Sequence, residues 1–219
     1  VTVSSVAASG NTSSVVLTLS TVVGSGKTVT VAYEAPTTDN ATSNAAIQDL
    51  SGNDAASLSA RAITNNSTVD QTAPLFSSAS VSSNGLTLTL NYNETLRDPR
   101  APASAFTVLV NGSPVTVSSV AASGNTSSVV LTLASPIGSG KAVTIAYDAP
   151  AVDAGTTNAA IQDTTGNDAV SLSATTVTNS STVDQTAPVF SSATLAANGL
   201  TLTLNYNEVL RDPRAPASA

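Results

Sequence analysis

Slid against itself by 114 residues, the chain matches its own sequence without a gap. Val1 and Val115 begin the same nineteen residues, VTVSSVAASGNTSSVVLTL, and 80 of the 105 overlapping positions are identical. A tandem period of this length exceeds the roughly 20–50 residues of a solenoid coil and suits a repeated whole domain. The polar stretch TNNSTVDQTAP, Thr64 to Pro74, recurs as TNSSTVDQTAP, Thr178 to Pro188, and each copy ends in a rigid proline. Placed there, the boundaries divide the chain into the later part of one repeat (1–70), a complete repeat (71–184) and the start of a third (185–219).

Within the complete repeat the apolar residues alternate, the pattern of strands with one buried face. The runs are Leu86, Leu88, Leu90 and Tyr92; Phe106, Val108 and Val110; Val129, Leu131 and Leu133; Val143, Ile145 and Tyr147. Asn111-Gly112 between FTVLV and VTVSS, strands C and C′, is a type I′ hairpin signal, and Ser123 and Gly138 begin further turns. With a first strand near Phe76 to Val81 and a last near Ser171 to Val177, the reading is all-β: about seven strands, A, B, C, C′, E, F and G, in an immunoglobulin-like sandwich. Charged residues at 10% and a Val, Thr and Ser-rich composition agree, because both suit strands better than helix surfaces.

Strand directions then place the charges. In a simple up-and-down order, the loops after B, C′ and F return to the end where A begins. Glu94 and Asp98 follow B, and Asp148, Asp153, Asp163 and Asp168 lie between F and G, so these carboxylates gather where the preceding repeat's Asp70 arrives. Asp184 and Glu208 hold the corresponding places for the third copy. Carboxylates brought together repel unless a cation or basic groups sit among them, and oxygen-rich loops are the usual calcium ligands. Calcium bound by Asp70, Glu94, Asp148, Asp153, Asp163 and Asp168 is the expectation. The competing reading has Arg97 and Arg100 neutralising part of a solvated acidic rim. Asp163-Thr-Thr-Gly-Asn-Asp168 lacks the spacing and terminal Glu of an EF-hand, and Asx turns around Gly166 explain it as well.

Other function classes find little support. The net charge of −7 opposes binding to nucleic acid or anionic membrane, and no stretch is long and apolar enough to span a bilayer. Without cysteine or histidine there are no disulfides, no thiolate nucleophile, no common zinc ligands and no near-neutral base. Glycoside hydrolysis would need a carboxylate pair at fixed separation, which nothing here defines, so an enzyme is not expected. Tyr92, Phe106 and Tyr147 fall in phase with the buried faces and read as core.

TLTLNYNETL, SAFTVLVNGSPVTVSSV, SGKAVTIAYDAP and IQDTTGNDA resemble the bacterial Ig-like repeats of giant surface adhesins, among them the repeats of the cell-surface protein needed for non-flagellar swimming in marine cyanobacteria. The segment LRDPRAPAS, Leu96 to Ser104, departs from the acidic or Thr-rich loop of that pattern. The resemblance implies an extracellular structural or adhesive array at the bacterial cell surface, often calcium-dependent, whose partners are neighbouring repeats and a surface target. The alternative is the subunit of a self-assembling extracellular filament or sheath. Residues 1–70 and 185–219, which between them lack only strand C of a domain, are expected to be completed either by covalent continuation of the chain or, in the filament reading, by strands exchanged between chains.

Overall fold

A computed structural model describes residues 1–8, 12–37, 46–97, 101–122, 126–150 and 159–211. The chain divides into two compact units, Val1–Ala73 and Pro74–Ala219. The described residues are almost entirely strand and turn, as the alternation requires. The first unit holds β1 (Val3–Ala8), β2 (Val15–Leu19), β3 (Val29–Tyr33) and β4 (Leu58–Ile63). The second holds β5 (Phe76–Val81), β6 (Thr87–Tyr92), β7 (Phe106–Val110), β8 (Ser113–Val115), β9 (Val117–Ala122), β10 (Ser128–Leu133), β11 (Val143–Tyr147) and β12 (Leu172–Asn179), followed by β13 (Phe190–Leu195) and β14 (Leu202–Tyr206). A 3-10 turn, Ala103–Ala105, precedes β7.

In the complete repeat eight strands bond in the order β8-β7-β11-β12-β5-β6-β10-β9. All neighbours are antiparallel except β12 and β5, which run parallel. The two ends of this order, β8 and β9, are consecutive in the chain and separated by Thr116 alone. The sheet therefore turns back until its edges meet, and it encloses one core. Strand C′ of the sequence reading is thus two strands. Val115 is bonded to β7, whereas Val117 is bonded to β10 on the other side. Asn111 and Gly112 form the expected turn between β7 and β8, with φ of 49° and 82°.

The core shows why the alternation is there. Leu88, Leu90, Val129, Leu131 and Ile145 are fully shielded from solvent, while the intervening Thr89 and Val130 are half-buried. Phe106 stacks on Tyr147 with ring centroids 5.2 Å apart, and Phe76 meets Tyr92 edge-on at 6.1 Å. The same sequences elsewhere in the chain supply an internal control. β1–β2 and β3–β4 in the first unit, and β13–β14 in the second, are separate two-stranded sheets. Leu17 repeats Leu131 yet is 38% exposed, and Leu202 repeats Leu88 yet is 62% exposed. Sequence fixes the local strand and its hairpin; burial comes only from the facing strands.

The polar stretch after β12 is not a free tether. Asn179 Nδ2 donates to the carbonyls of Gly138 and Lys141 at 2.9 and 3.0 Å, and Ser181 Oγ donates to that of Ile137 at 2.6 Å. Ser139 N donates to Val183 O at 2.8 Å, and Gln185 Nε2 reaches Pro136 O at 2.9 Å. The earlier copy repeats the set with Asn65, Val69 and Gln71 against residues 22–27. The next strand is tied down at Leu75, whose N–H donates to Asn93 Oδ1 at 2.8 Å, and Val189 does the same to Asn207. Only three residues, Thr72 to Pro74 or Thr186 to Pro188, separate the last anchored glutamine from the next anchored strand.

Gly138 is part of this anchor, because a Cβ there would meet Oε1 of Gln185. Gly138→Ala should therefore displace the Gln185 side chain and forfeit one neutral hydrogen bond, about 0.5–1.5 kcal/mol. Denaturant titration should show a small loss in midpoint, and hydrogen exchange should show faster exchange confined to the segment after β12.

Candidate functional site

The site is built by strand direction. Because β5 and β6, β6 and β10, β10 and β9, and β11 and β12 are antiparallel pairs while β12 runs parallel to β5, β6, β9 and β11 all end where β5 begins. Backbone bonds knit them together there. Leu96 N donates to Thr126 O at 2.9 Å, Arg97 N to Gln162 O at 2.8 Å, and Leu96 bridges to Asp163. Tyr147 anchors the returning loop by accepting a bond from Ile161 N at 3.0 Å. Burial pushes the Tyr147 hydroxyl up, only partly offset by that bond, with the nearby Asp168 charge adding to the rise.

Asp163 is the organising group. It is 1% exposed. Its Oδ1 accepts from the backbone N–H groups of Thr165, Gly166 and Asn167 at 2.8, 2.6 and 2.8 Å, and its Oδ2 accepts from Thr165 Oγ1 and Asn167 Nδ2 at 2.9 and 2.7 Å. Burial acts to raise its pKa, but the Asn167 and Thr165 donors outweigh burial and hold it below the usual carboxylate value. This is an Asx-type turn that wraps its own carboxylate. Asp49, one period earlier, accepts from Ser51 N, Asn53 N and Asn53 Nδ2, and the Asn53 side chain foremost lowers its pKa, but it is solvent-exposed.

The sequence-predicted ligands separate into groups. Glu94 and Asp163 come together, with carboxylate oxygens within 4.8 Å of each other. Glu94 Oε1 is closed off from solvent, and so is Oε1 of its counterpart Glu208. Asp168 accepts from Gln162 Nε2 at 2.6 Å, and Asp148 is exposed at the start of the loop after β11; neither joins the cluster. Asp70 lies in the anchored segment that ends the first unit, where its Oδ1 accepts from Thr72 N at 2.9 Å. Asp184 is exposed, and the Thr186 backbone and side-chain donors lower its pKa. Asp153, Asp98 and Arg100 lie outside the described residues.

Sequence reasoning missed Gln162, which ties Asp168 to the loop, and the pairs Asn65–Gln71 and Asn179–Gln185, which anchor the exit segments. The recurrence of Asn and Gln six residues apart in both copies was the signal available for the second.

Chemically, the arrangement brings together the hard oxygen atoms of Glu94 and Asp163, the donor type that cations of the calcium class take. Asp163 already accepts five bonds, so what it offers beyond them is chiefly fixed negative charge.

No curated protein matches the chain. Similar solved structures are surface-layer proteins. They are domains 1–6 of surface layer protein SbsC (18% identity, 58% of this chain and 16% of that one, TM-score 0.38), the N-terminal part of the bacterial S-layer protein SbsC (18%, 62%, 32%, 0.36) and the S-layer protein rSbsC (17%, 60%, 18%, 0.37). The chain spans between 16% and 32% of the length of these proteins. A family model described as "Putative flagellar system-associated repeat" matches residues 1–38 and 69–152, more than half of the chain. The chain therefore belongs to this family of flagellar system-associated repeats.

Proposed function

We propose that the chain is a structural and adhesive module of an extracellular array on a bacterial surface, in which successive repeats set reach and stiffness. The observation that carries this reading is the three-residue link. A segment anchored to its own domain as far as Gln71 or Gln185, followed by an anchored Leu75 or Val189, leaves little freedom between repeats. Pro74 and Pro188 restrict it further. Membership in a repeat family associated with a flagellar system supports a surface location.

Calcium belongs to this proposal as the stiffening ion. Glu94 would provide direct oxygen ligands and Asp163 fixed charge, and Glu208 is the counterpart of Glu94 in the next copy. An ion that binds only the folded state stabilises it by mass action. Chelation should therefore lower the melting temperature of the complete repeat by about 5 °C, equivalent to roughly 1 kcal/mol at this domain size. In solution scattering of tandem repeats with calcium, the axial spacing should be about 40–45 Å, from strands rising ~3.3 Å per residue plus loops. An unchanged melting temperature removes calcium from the proposal, and a freely jointed profile removes stiffness.

A further inference from the structure

We propose that Asn111 is a site of spontaneous covalent modification. Its side-chain amide closes onto the backbone nitrogen of Gly112, releases ammonia, and opens with water to aspartate or isoaspartate. It does so in preference to the other Asn-Gly pair of the complete repeat, Asn84-Gly85.

The fold demands a chemically labile pair at this turn. A tight type I′ turn between β7 and β8 requires positive φ at both central positions, and Asn111 and Gly112 adopt 49° and 82°. Asn-Gly meets that demand. It also sets a carboxamide carbon next to a peptide nitrogen whose approach no Cβ hinders. In the closure the Gly112 nitrogen bonds to Asn111 Cγ, its proton is delivered through water to Nδ2, and the Cγ–Nδ2 bond breaks to release ammonia. Water then opens the cyclic imide. Attack at the side-chain carbonyl gives aspartate; attack at the backbone carbonyl gives isoaspartate, whose chain runs through Cβ and is longer by a methylene.

The nucleophile separates the two pairs. Gly112 is exposed, a Cβ there would meet nothing within 4 Å, and its N–H donates to no group among the described residues. Gly85 is buried, its N–H donates to Ser82 O at 2.9 Å, and its carbonyl accepts from Ile137 N at 2.9 Å. It sits so close under Ile137 that a Cβ would collide with that residue's backbone. Closing the imide at Asn84 therefore means breaking a hydrogen bond and shifting a packed turn. The electrophiles are alike. Asn111 Oδ1 accepts from Ala142 N at 3.0 Å and Asn84 Oδ1 from Leu86 N at 2.9 Å, so at each a backbone donor polarises the carbonyl and can hold the oxyanion of the adduct.

The two products differ in effect. Aspartate keeps the turn, because Asp-Gly also suits type I′, and it keeps an Oδ1 for Ala142 N. Isoaspartate lengthens the loop that sets Val110 opposite Ser113, Leu109 opposite Pro114 and Val108 opposite Val115. Among the described residues β8 is bonded only to β7, so its pairing is lost, whereas β7 stays bonded to β11.

Peptide mapping by mass spectrometry tests the site in the full chain, held folded in mildly alkaline buffer. Asn111 should convert about tenfold faster than Asn84, the factor that a hydrogen bond at the nucleophile is worth. In urea that unfolds the repeat the two rates should converge, because the protection of Gly85 is structural. Electron-transfer fragmentation should find isoaspartate among the products. Hydrogen exchange of the aged protein should be faster in the β7–β8 ladder and unchanged in β6 and β10. Asn111→Gly suits the same turn without an amide to close and should abolish the change with age. Asn111→Asp should show native exchange when fresh, which separates isoaspartate from the mere gain of charge. Cooperative melting shows that both variants are folded. Equal rates at Asn111 and Asn84 in the folded protein, or conversion of Asn111 in urea alone, would overturn the site. Native exchange in protein shown to carry isoaspartate would overturn its effect on β8.

Discussion

Leu131→Ala should cost the complete repeat about 2–5 kcal/mol, while Leu17→Ala, the same residue one period earlier, should cost under about 1 kcal/mol. Leu131 is fully buried between β6 and β9, and truncation removes transfer free energy and leaves a cavity in packing that cannot fully collapse. Leu17 keeps 38% of its surface in water, so truncation there removes less buried area and opens no enclosed void. Urea titration at dilute concentration should show a lower midpoint with unchanged slope for Leu131→Ala and almost no shift for Leu17→Ala. Equal costs would mean that the β1–β2 face is covered in solution even when dilute.

The sequence carried most of the strands and little of how they close. Alternation in TLTLNY, VVLTL and VTIAY marked β6, β10 and β11, because a half-buried strand writes its burial into every second residue. The switch at Thr116 left no such mark. VTVSSV alternates straight through the break, and which sheet each half joins depends on partners β7 and β10 distant in the chain. The exit segments hide their anchoring for a related reason. Ser, Thr and Asn in succession resemble a linker by composition, but here Asn179, Ser181 and Gln185 spend their side chains on backbone groups 38 to 49 residues away. At the acidic pole, the gathering of charges followed from strand direction alone. Which carboxylates meet did not, because Asp168 is drawn to Gln162 and Asp148 faces solvent.

These two levels bear on one another. A tandem array needs every repeat to present the same entry and exit, and the anchored exit and Asn93-type entry recur 114 residues apart with the same partners. The turn from Asp163 to Asp168 is the part of the entry pole whose backbone a buried carboxylate organises. Asp163 holds that loop, so its removal should be felt both in stability and in the geometry offered to an ion.

Asp163→Ala should destabilise the complete repeat by about 2–4 kcal/mol, from the loss of five bonds to a charged acceptor, tempered because Thr165 and Gly166 can turn to water. Asp163→Asn should fall close behind, since its amide nitrogen cannot accept from Thr165 Oγ1 and Asn167 Nδ2 and its charge is gone. The acid dependence gives the sharper signature. The folded-state pKa of Asp163 lies below its unfolded value of about 3.9, so its contribution is fully present above that value and is lost as pH falls through the folded pKa. Stability of the native protein should therefore drop below about pH 4, and the drop should be shallower in Asp163→Asn, which has no proton to bind there. Asp49→Ala removes the same turn acceptor at an exposed site and should cost under about 1 kcal/mol. Urea midpoints of the three variants from pH 7 to pH 2.5 decide the matter. An acid limb identical in native protein and Asp163→Asn would show that the loop is held by its backbone bonds and not by the buried carboxylate.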